Sequence, residues 1–274
     1  MADELYPPAR PQSIGEVLDL GFRIFRVSLL KCLPLAVAAL LLQQLPNIYS
    51  LVRGGSLAGF LHAAHDAPWW LLYVIGWLCS TALGSAILLR QHTIARHMAG
   101  TAGDALAVAL RRLPGLVAIG VLVFLAMGAC FVPVGLAAGN QLAMGLVFLL
   151  MALPASYVAL RLSLATTGYL LNPWGAIEAL QRSWNLTSGS YWRLAAIWSI
   201  AVIVLLVFYL IAGIVAAAIA VPIGFGDVAL VTAISTSVVL ILMALALPFF
   251  MSIALAIFGD LSVRREGTDL AARM

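Results

Sequence analysis

The sequence predicts an all-α integral membrane protein: six transmembrane helices, with cytoplasmic amphipathic helices lying along the membrane interface. Three observations carry that prediction. The chain of 274 residues is 64% hydrophobic and only 9% charged, whereas a soluble domain carries about 25% charged residues. Six apolar segments recur along it, each close to the roughly 20 residues that cross a hydrocarbon core of about 30 Å. All of the 15 Lys and Arg residues except Arg53 fall on one side of those segments. With a mean hydropathy of +1.07 the chain has too little polar surface to cover itself in water, and the alternating pattern of a membrane β-barrel is absent.

Residues 1–12 read as a cytoplasmic tail, and 13–260 as a single transmembrane domain. Ser13-Ile-Gly-Glu16 is a capping box, in which the serine and the glutamate satisfy each other's backbone N–H groups. It opens an amphipathic helix over 13–26, with Val17, Leu18, Gly21, Ile24 and Phe25 on one face and Asp19, Arg23 and Arg26 on another. Spans follow over 28–46 and 69–89. Thr101 then caps a short amphipathic helix over 103–112 that ends in Arg111 and Arg112. The next spans cover 114–138 and 142–160. Asn172-Pro173 reads as the start of a third amphipathic helix, 173–187, a capping side chain followed by proline at the first helical position. Its apolar face is Ile177, Leu180 and Trp184, with Tyr191 beyond, and its polar face is Glu178, Gln181, Arg182 and Asn185. The last spans cover 194–221 and 228–258, and 261–274 read as a solvated tail. Pro133, Pro154 and Pro248 fall inside spans, where neighbouring helices can satisfy the freed carbonyls.

Two of the amphipathic helices register on each other without a gap. Glu16 matches Glu178, Leu18 matches Leu180, Phe22 matches Trp184 and Lys31 matches Arg193, all 162 positions apart. Each helix has acid near its start and base near its end, which complements the helix dipole. Three parallel units, each an interfacial helix followed by a transmembrane hairpin, account for this pattern. The positive-inside rule places both termini in the cytoplasm. The net charge of +4 comes from the basic rim and points to anionic lipid headgroups as partner. A membrane protein or a second copy of the chain is the other class of partner; nothing favours nucleic acid. No cleavable signal peptide is expected, because Asp3, Glu4, Glu16 and Asp19 precede the first span. Cys32, Cys79 and Cys130 lie far apart within spans and read as buried, reduced thiols.

The chemistry-bearing candidates are few. His62, His65 and Asp66 stand at a spacing that could share a metal, against the plainer reading of a wet outer loop. His92 and His97 read as interface residues. Arg161, about 30 Å along its span from the outer end, is either a positive-inside anchor or a charge facing the bundle, with Glu178 or Asp260 as partner. Asp260, Arg264, Arg265 and Glu266 face three helices of opposite charge pattern and read as part of a cytoplasmic salt-bridge collar. Gly76, Ser80 and Gly84, and again Gly135 and Gly139, fall four apart as packing seams. Asn185-Leu-Thr187 matches a glycosylation acceptor, and its cytoplasmic placement argues against use. No nucleophile elbow, dinucleotide fingerprint, phosphate-binding glycine loop or metalloprotease helix is present, so no cofactor is expected.

Three stretches, "SIGEVLDLGFRIFR", "AIEALQRSWNLTSGSYWRL" and "FGDLSVRREGTDL", resemble a bacterial family called the glycerophosphoryl diester phosphodiesterase membrane-domain family. Gly15, Glu16 and Phe22 carry the first. Ala179, Leu180, Ser183, Trp184, Gly189, Trp192 and Arg193 carry the second. Asp260, Arg264, Arg265, Glu266, Gly267 and Asp269 carry the third. Asn172 departs from the acidic residue that relatives tend to have just before the middle motif. The resemblance implies a six-helix bacterial inner-membrane protein without the separate catalytic domain to which some relatives are fused. The expected function is non-enzymatic: structural or regulatory in the envelope, through lipid or partner contact. A transporter lined by Ser80, Thr81, Ser235, Thr236 and Ser237 is the first alternative, and a metal enzyme using the outer histidines the second.

Overall fold

A computed structural model describes residues 5–54, 66–137, 139–224, 231, 238–239 and 243–273, and no strand occurs among them. The helices are α1 (Ile14–Gln43), α2 (Leu45–Gly54), α3 (Ala67–Ala95), α4 (Ala102–Leu136), α5 (Gln141–Leu162), α6 (Ala165–Leu171), α7 (Ala176–Leu186), α8 (Tyr191–Gly224) and α9 (Ala246–Arg273). Six of the helical stretches, beginning at Ile14, Ala67, Ala102, Gln141, Tyr191 and Ala246, are long and apolar enough to cross a membrane. Large apolar side chains such as Phe124, Leu136, Leu142 and Leu206 stand exposed along their flanks. That is the surface a bilayer covers, and it supports a multi-pass membrane protein.

The amphipathic segments begin as their caps dictate. Ser13 Oγ accepts the Glu16 N–H at 3.3 Å while Glu16 Oε2 accepts the Ser13 N–H at 2.6 Å. Thr101 and Asp104 repeat the arrangement at 3.1 and 2.7 Å. The third helix starts at Ala176 and not at Pro173. Its N-cap is Gly175, whose N–H is accepted by Glu178 Oε2 at 3.4 Å. Asn172 instead ends α6, its Nδ2 donating to Gly168 O at 3.1 Å. The proline after it follows a helix end and does not open a new one.

Only the third amphipathic helix is separate from its span. Thr187-Ser188-Gly189-Ser190 breaks the chain between α7 and α8, and Gly189 adopts φ +76°, a left-handed conformation that glycine takes without steric cost. The corresponding position in the first helix is Val27, and α1 runs unbroken for 30 residues. Its roughly 45 Å, at about 1.5 Å per residue, exceed the hydrocarbon thickness. α4, at 35 residues, is longer still. At the other end of the chain, 261–273 continue α9 as helix, with Leu261 buried and Arg265 exposed.

α9 is the centre of the bundle. Ile253, Leu255, Ala256, Ile257 and Phe258 meet Val17, Leu20 and Ile24 of α1 and Leu194 and Ile197 of α8 in the main core. Residues 5–12 lie along this core as a strap: Tyr6 is buried in it, its ring edge-on to His92 at 5.3 Å, and the Leu5 N–H donates to Ala95 O at 3.1 Å. Burial raises the Tyr6 phenol above its ordinary pKa, and Arg96 nearby partly offsets the rise.

The small-residue seams behave unequally. A Cβ on Gly76 would stand 2.6 Å from Leu42 O, so α3 touches the backbone of α1 there. Gly84 has ordinary van der Waals room beside Leu247 and Met251, and Gly135 and Gly139 have nothing within 4 Å. These two therefore form no seam within the described chain. Gly76→Ala should lower the melting temperature in detergent by several degrees, a cost of about 1–3 kcal/mol for overpacking against backbone, while Gly84→Ala leaves it within about a degree.

Candidate functional site

The polar end of the bundle gathers the candidate residues, but as separate groups and not as one collar. The most buried is a clasp on Asp260, which is 1% exposed. Asp260 Oδ2 accepts Arg193 Nη2 at 2.7 Å and Arg264 Nε at 3.1 Å, and Oδ1 accepts the Gln12 N–H at 2.7 Å. Arg193 Nη2 also donates to Gln12 O at 2.6 Å. One carboxylate thus ties the strap, the start of α8 and the middle of α9. Gln12 escaped the sequence reading because its backbone, not its side chain, makes these bonds.

A second group stands on α7. Glu178 Oε1 accepts Arg182 Nε at 2.9 Å, and the Arg182 guanidinium lies 4.7 Å over the Trp174 ring. Glu16 pairs with Arg10 at 2.7 Å, and Arg23 with Asp19 at 3.8 Å, all exposed. Neither Glu16 nor Glu178 reaches across to another helix, so exposed pairs of this kind contribute little stability. Arg26 and Arg111 point outward. Arg265 Nη2 donates to Asn185 O at 2.6 Å and Ser188 O at 3.3 Å, at the carbonyl end of α7. The side chain of Glu266 lies outside the described residues.

Arg112 and Arg161 are placed otherwise than expected. Arg112 Nη1 donates to the carbonyls of Tyr169, of Leu170 at 3.3 Å and of Asn172 at 2.8 Å, closing the C-terminal end of α6. Arg161 pairs with neither Glu178 nor Asp260, since those carboxylates are taken up by Arg182 and by Arg193 with Arg264. Its guanidinium lies 4.4 Å over the Trp184 ring and 5.6 Å over Tyr157. Its backbone carbonyl accepts Ser183 Oγ at 2.8 Å and Thr187 Oγ1 at 3.3 Å.

α7 presents three faces, where the sequence showed two. Ala179 and Ser183 are buried against the bundle, Glu178, Arg182 and Asn185 form the polar face, and Ile177, at 66% exposed, stands out with Trp184. The small residues make the contact because they let the helix approach. Between α7, its preceding turn and α9 lies a cavity of about 500 Å³ lined by Asn172, Trp174, Arg182, Asn185, Ser262 and Arg265, among others. Two guanidinium groups, two amides and a hydroxyl converge there on one side of an indole.

Among the outer candidates, His62 and His65 lie outside the described residues, as do Ser235, Thr236 and Ser237. Asp66 occupies the N-cap position of α3, with Tyr49 Oη 3.5 Å from Oδ2. No group of three or more His, Cys, Asp and Glu is placed to hold a metal among the described residues. Thr81 Oγ1 donates back to Trp77 O at 2.8 Å. Gln91, unremarked in the sequence because it falls just past the expected end of its span, is fully buried and donates from Nε2 to Pro248 O at 2.8 Å, joining α3 to α9. No protein-family model, curated protein or solved structure matches this chain.

Proposed function

We propose that this chain is a non-enzymatic, multi-pass protein of a bacterial inner membrane that acts by binding anionic lipid headgroups at its cytoplasmic, basic end. The observation that carries the reading is the cavity beside α7, where Arg182 and Arg265 converge with Asn172, Asn185 and Ser262. Guanidinium forks with amide and hydroxyl donors match a phosphodiester headgroup. The exposure of Ile177 and of Trp192, which is 82% exposed, supports an interfacial depth for this end, where aromatic and aliphatic side chains enter the headgroup boundary. The distribution of basic residues supports the orientation. The resemblance of three stretches of the sequence to the glycerophosphoryl diester phosphodiesterase membrane-domain family favours a bacterial source and a role in the envelope.

The reading is tested by native mass spectrometry of the full chain, released from its own membrane in mild detergent. Anionic lipid should stay bound to the wild type, and most of it should be lost from Arg182→Gln combined with Arg265→Gln. A lipid-free wild type, or one that retains zwitterionic lipid equally well, refutes it.

A further inference from the structure

Arg161 is 7% exposed and, among the described residues, has no carboxylate or hydrogen-bond partner; its Nε is sealed from solvent with nothing to donate to. A guanidinium largely withdrawn from water without an anion is costly for a fold to hold. The Trp184 and Tyr157 rings compensate part of that cost through their π faces, but a ring supplies no lone pair for the N–H groups. Tyr157 packs on Tyr191 with ring centroids 5.3 Å apart and on Trp184 at 5.9 Å. Neither tyrosine hydroxyl is hydrogen-bonded among the described residues. α8 begins at Tyr191, so the positive end of a long helix adjoins the same cluster.

We infer that Arg161, Tyr157 and Tyr191 form a second anion site, distinct from the Arg182 cavity, whose ligand is a phosphate oxyanion. Depth selects the chemistry. Arg161 stands about 30 Å along α5 from its start at Gln141, which is the thickness of the hydrocarbon core, so its guanidinium lies at the level of headgroup phosphates. The planar fork engages two phosphate oxygens at once, and the two phenols supply further donors. The lipid form of the ligand rests on the membrane orientation proposed above; the anion itself does not.

The test uses the full chain, delipidated in a neutral maltoside detergent, with thermal unfolding followed after adding phosphatidylglycerol in mixed micelles or, separately, inorganic phosphate. Wild type should gain several degrees, in a concentration-dependent way. Arg161→Gln should lose that gain, and without ligand should melt no lower than wild type, because it removes an uncompensated charge. Tyr157→Phe combined with Tyr191→Phe keeps the packing and the cation, and should weaken the response about tenfold even if Arg161→Gln does not fold. A gain with phosphatidylglycerol alone assigns a lipid headgroup, and a gain with inorganic phosphate assigns the free anion. The inference is overturned if neither ligand stabilises wild type, if both stabilise Arg161→Gln equally, or if Arg161→Gln melts far below wild type without ligand. Retention of lipid that depends on Arg182 and Arg265, with no response to either ligand that depends on Arg161, would overturn this site alone. A phosphate response without retained anionic lipid would overturn the headgroup reading alone.

Discussion

Replacing Asp260 with alanine should destabilise the protein by about 3 kcal/mol, the lower part of the range for removing one partner of a buried ion pair. The carboxylate is almost wholly enclosed and accepts from Arg193, Arg264 and the Gln12 N–H. Its loss leaves the half-buried Gln12 amide without an acceptor and two guanidinium groups facing each other. Both arginines keep some contact with solvent, which holds the cost below what a fully buried triad would show. Asp260→Asn keeps an oxygen acceptor but turns an amide N–H₂ towards cations, and should fall between wild type and Asp260→Ala. Because the three partners act as a unit, Asp260→Ala combined with Arg193→Ala should cost less than the sum of the two. Thermal unfolding in detergent reads these differences. A second readout is local: freed from Asp260, the strap should lift, and the amides of Leu5 and Gln12, bonded to Ala95 O and to Asp260, should exchange hydrogen at a stability too high for global unfolding. An Asp260→Ala protein with wild-type melting and a protected strap would rule out the clasp.

Much of this arrangement was legible in the sequence, and the errors have identifiable causes. Composition and run length suffice for an all-helical protein with six apolar helices, because the hydrophobic requirement of a bilayer is a property of segments and not of contacts. The caps at Ser13 and Thr101 were legible because a capping box is a local hydrogen-bond circuit. The start of the third amphipathic helix was misread because Asn172-Pro173 satisfies the same local rule, and Asn172 is needed instead to end α6. Yet the register of 162 already pairs Ser13 with Gly175, so the pattern that matched Glu16 with Glu178 also held the correct cap. Partner choice was not legible. Glu178 and Asp260 were equally plausible counter-ions for Arg161, and only the packing shows them engaged by nearer arginines. The three faces of α7 were hidden for a related reason: periodicity ranks residues by size and polarity, whereas close approach selects Ala179 and Ser183 because they are small.

Arg112 exemplifies a role that charge counting misses, and its replacement should have the second largest effect. The sequence reads it as one of a basic pair after a short amphipathic helix. In the structure it is the C-terminal cap of another helix, donating from Nη1 to the carbonyls of Tyr169, Leu170 and Asn172 with its guanidinium 5.6 Å from the centre of the Tyr169 ring. The last carbonyls of a helix have no partner within it, and a cation there also meets the negative end of the dipole. α6 has seven residues, too few to be stable without tertiary support, and it leads directly into the turn that carries Asn172 and Trp174 at the cavity beside α7. Arg112→Met keeps the stem and removes the donors, and should cost about 2 kcal/mol, as hydrogen bonds to a charged group do when partly buried. Arg112→Lys should recover less than half of this, because an ammonium on a flexible stem lacks the planar fork that holds several carbonyls together. Arg111→Met, one position away and exposed, should change stability by less than about 0.5 kcal/mol. The cavity gives an independent readout: Arg112→Met should weaken anionic-lipid retention although Arg112 does not line the site, and Arg111→Met should leave it intact. Equal effects at the two positions would mean that Arg112 acts through charge alone, and that the end of α6 is held by something other than its cap.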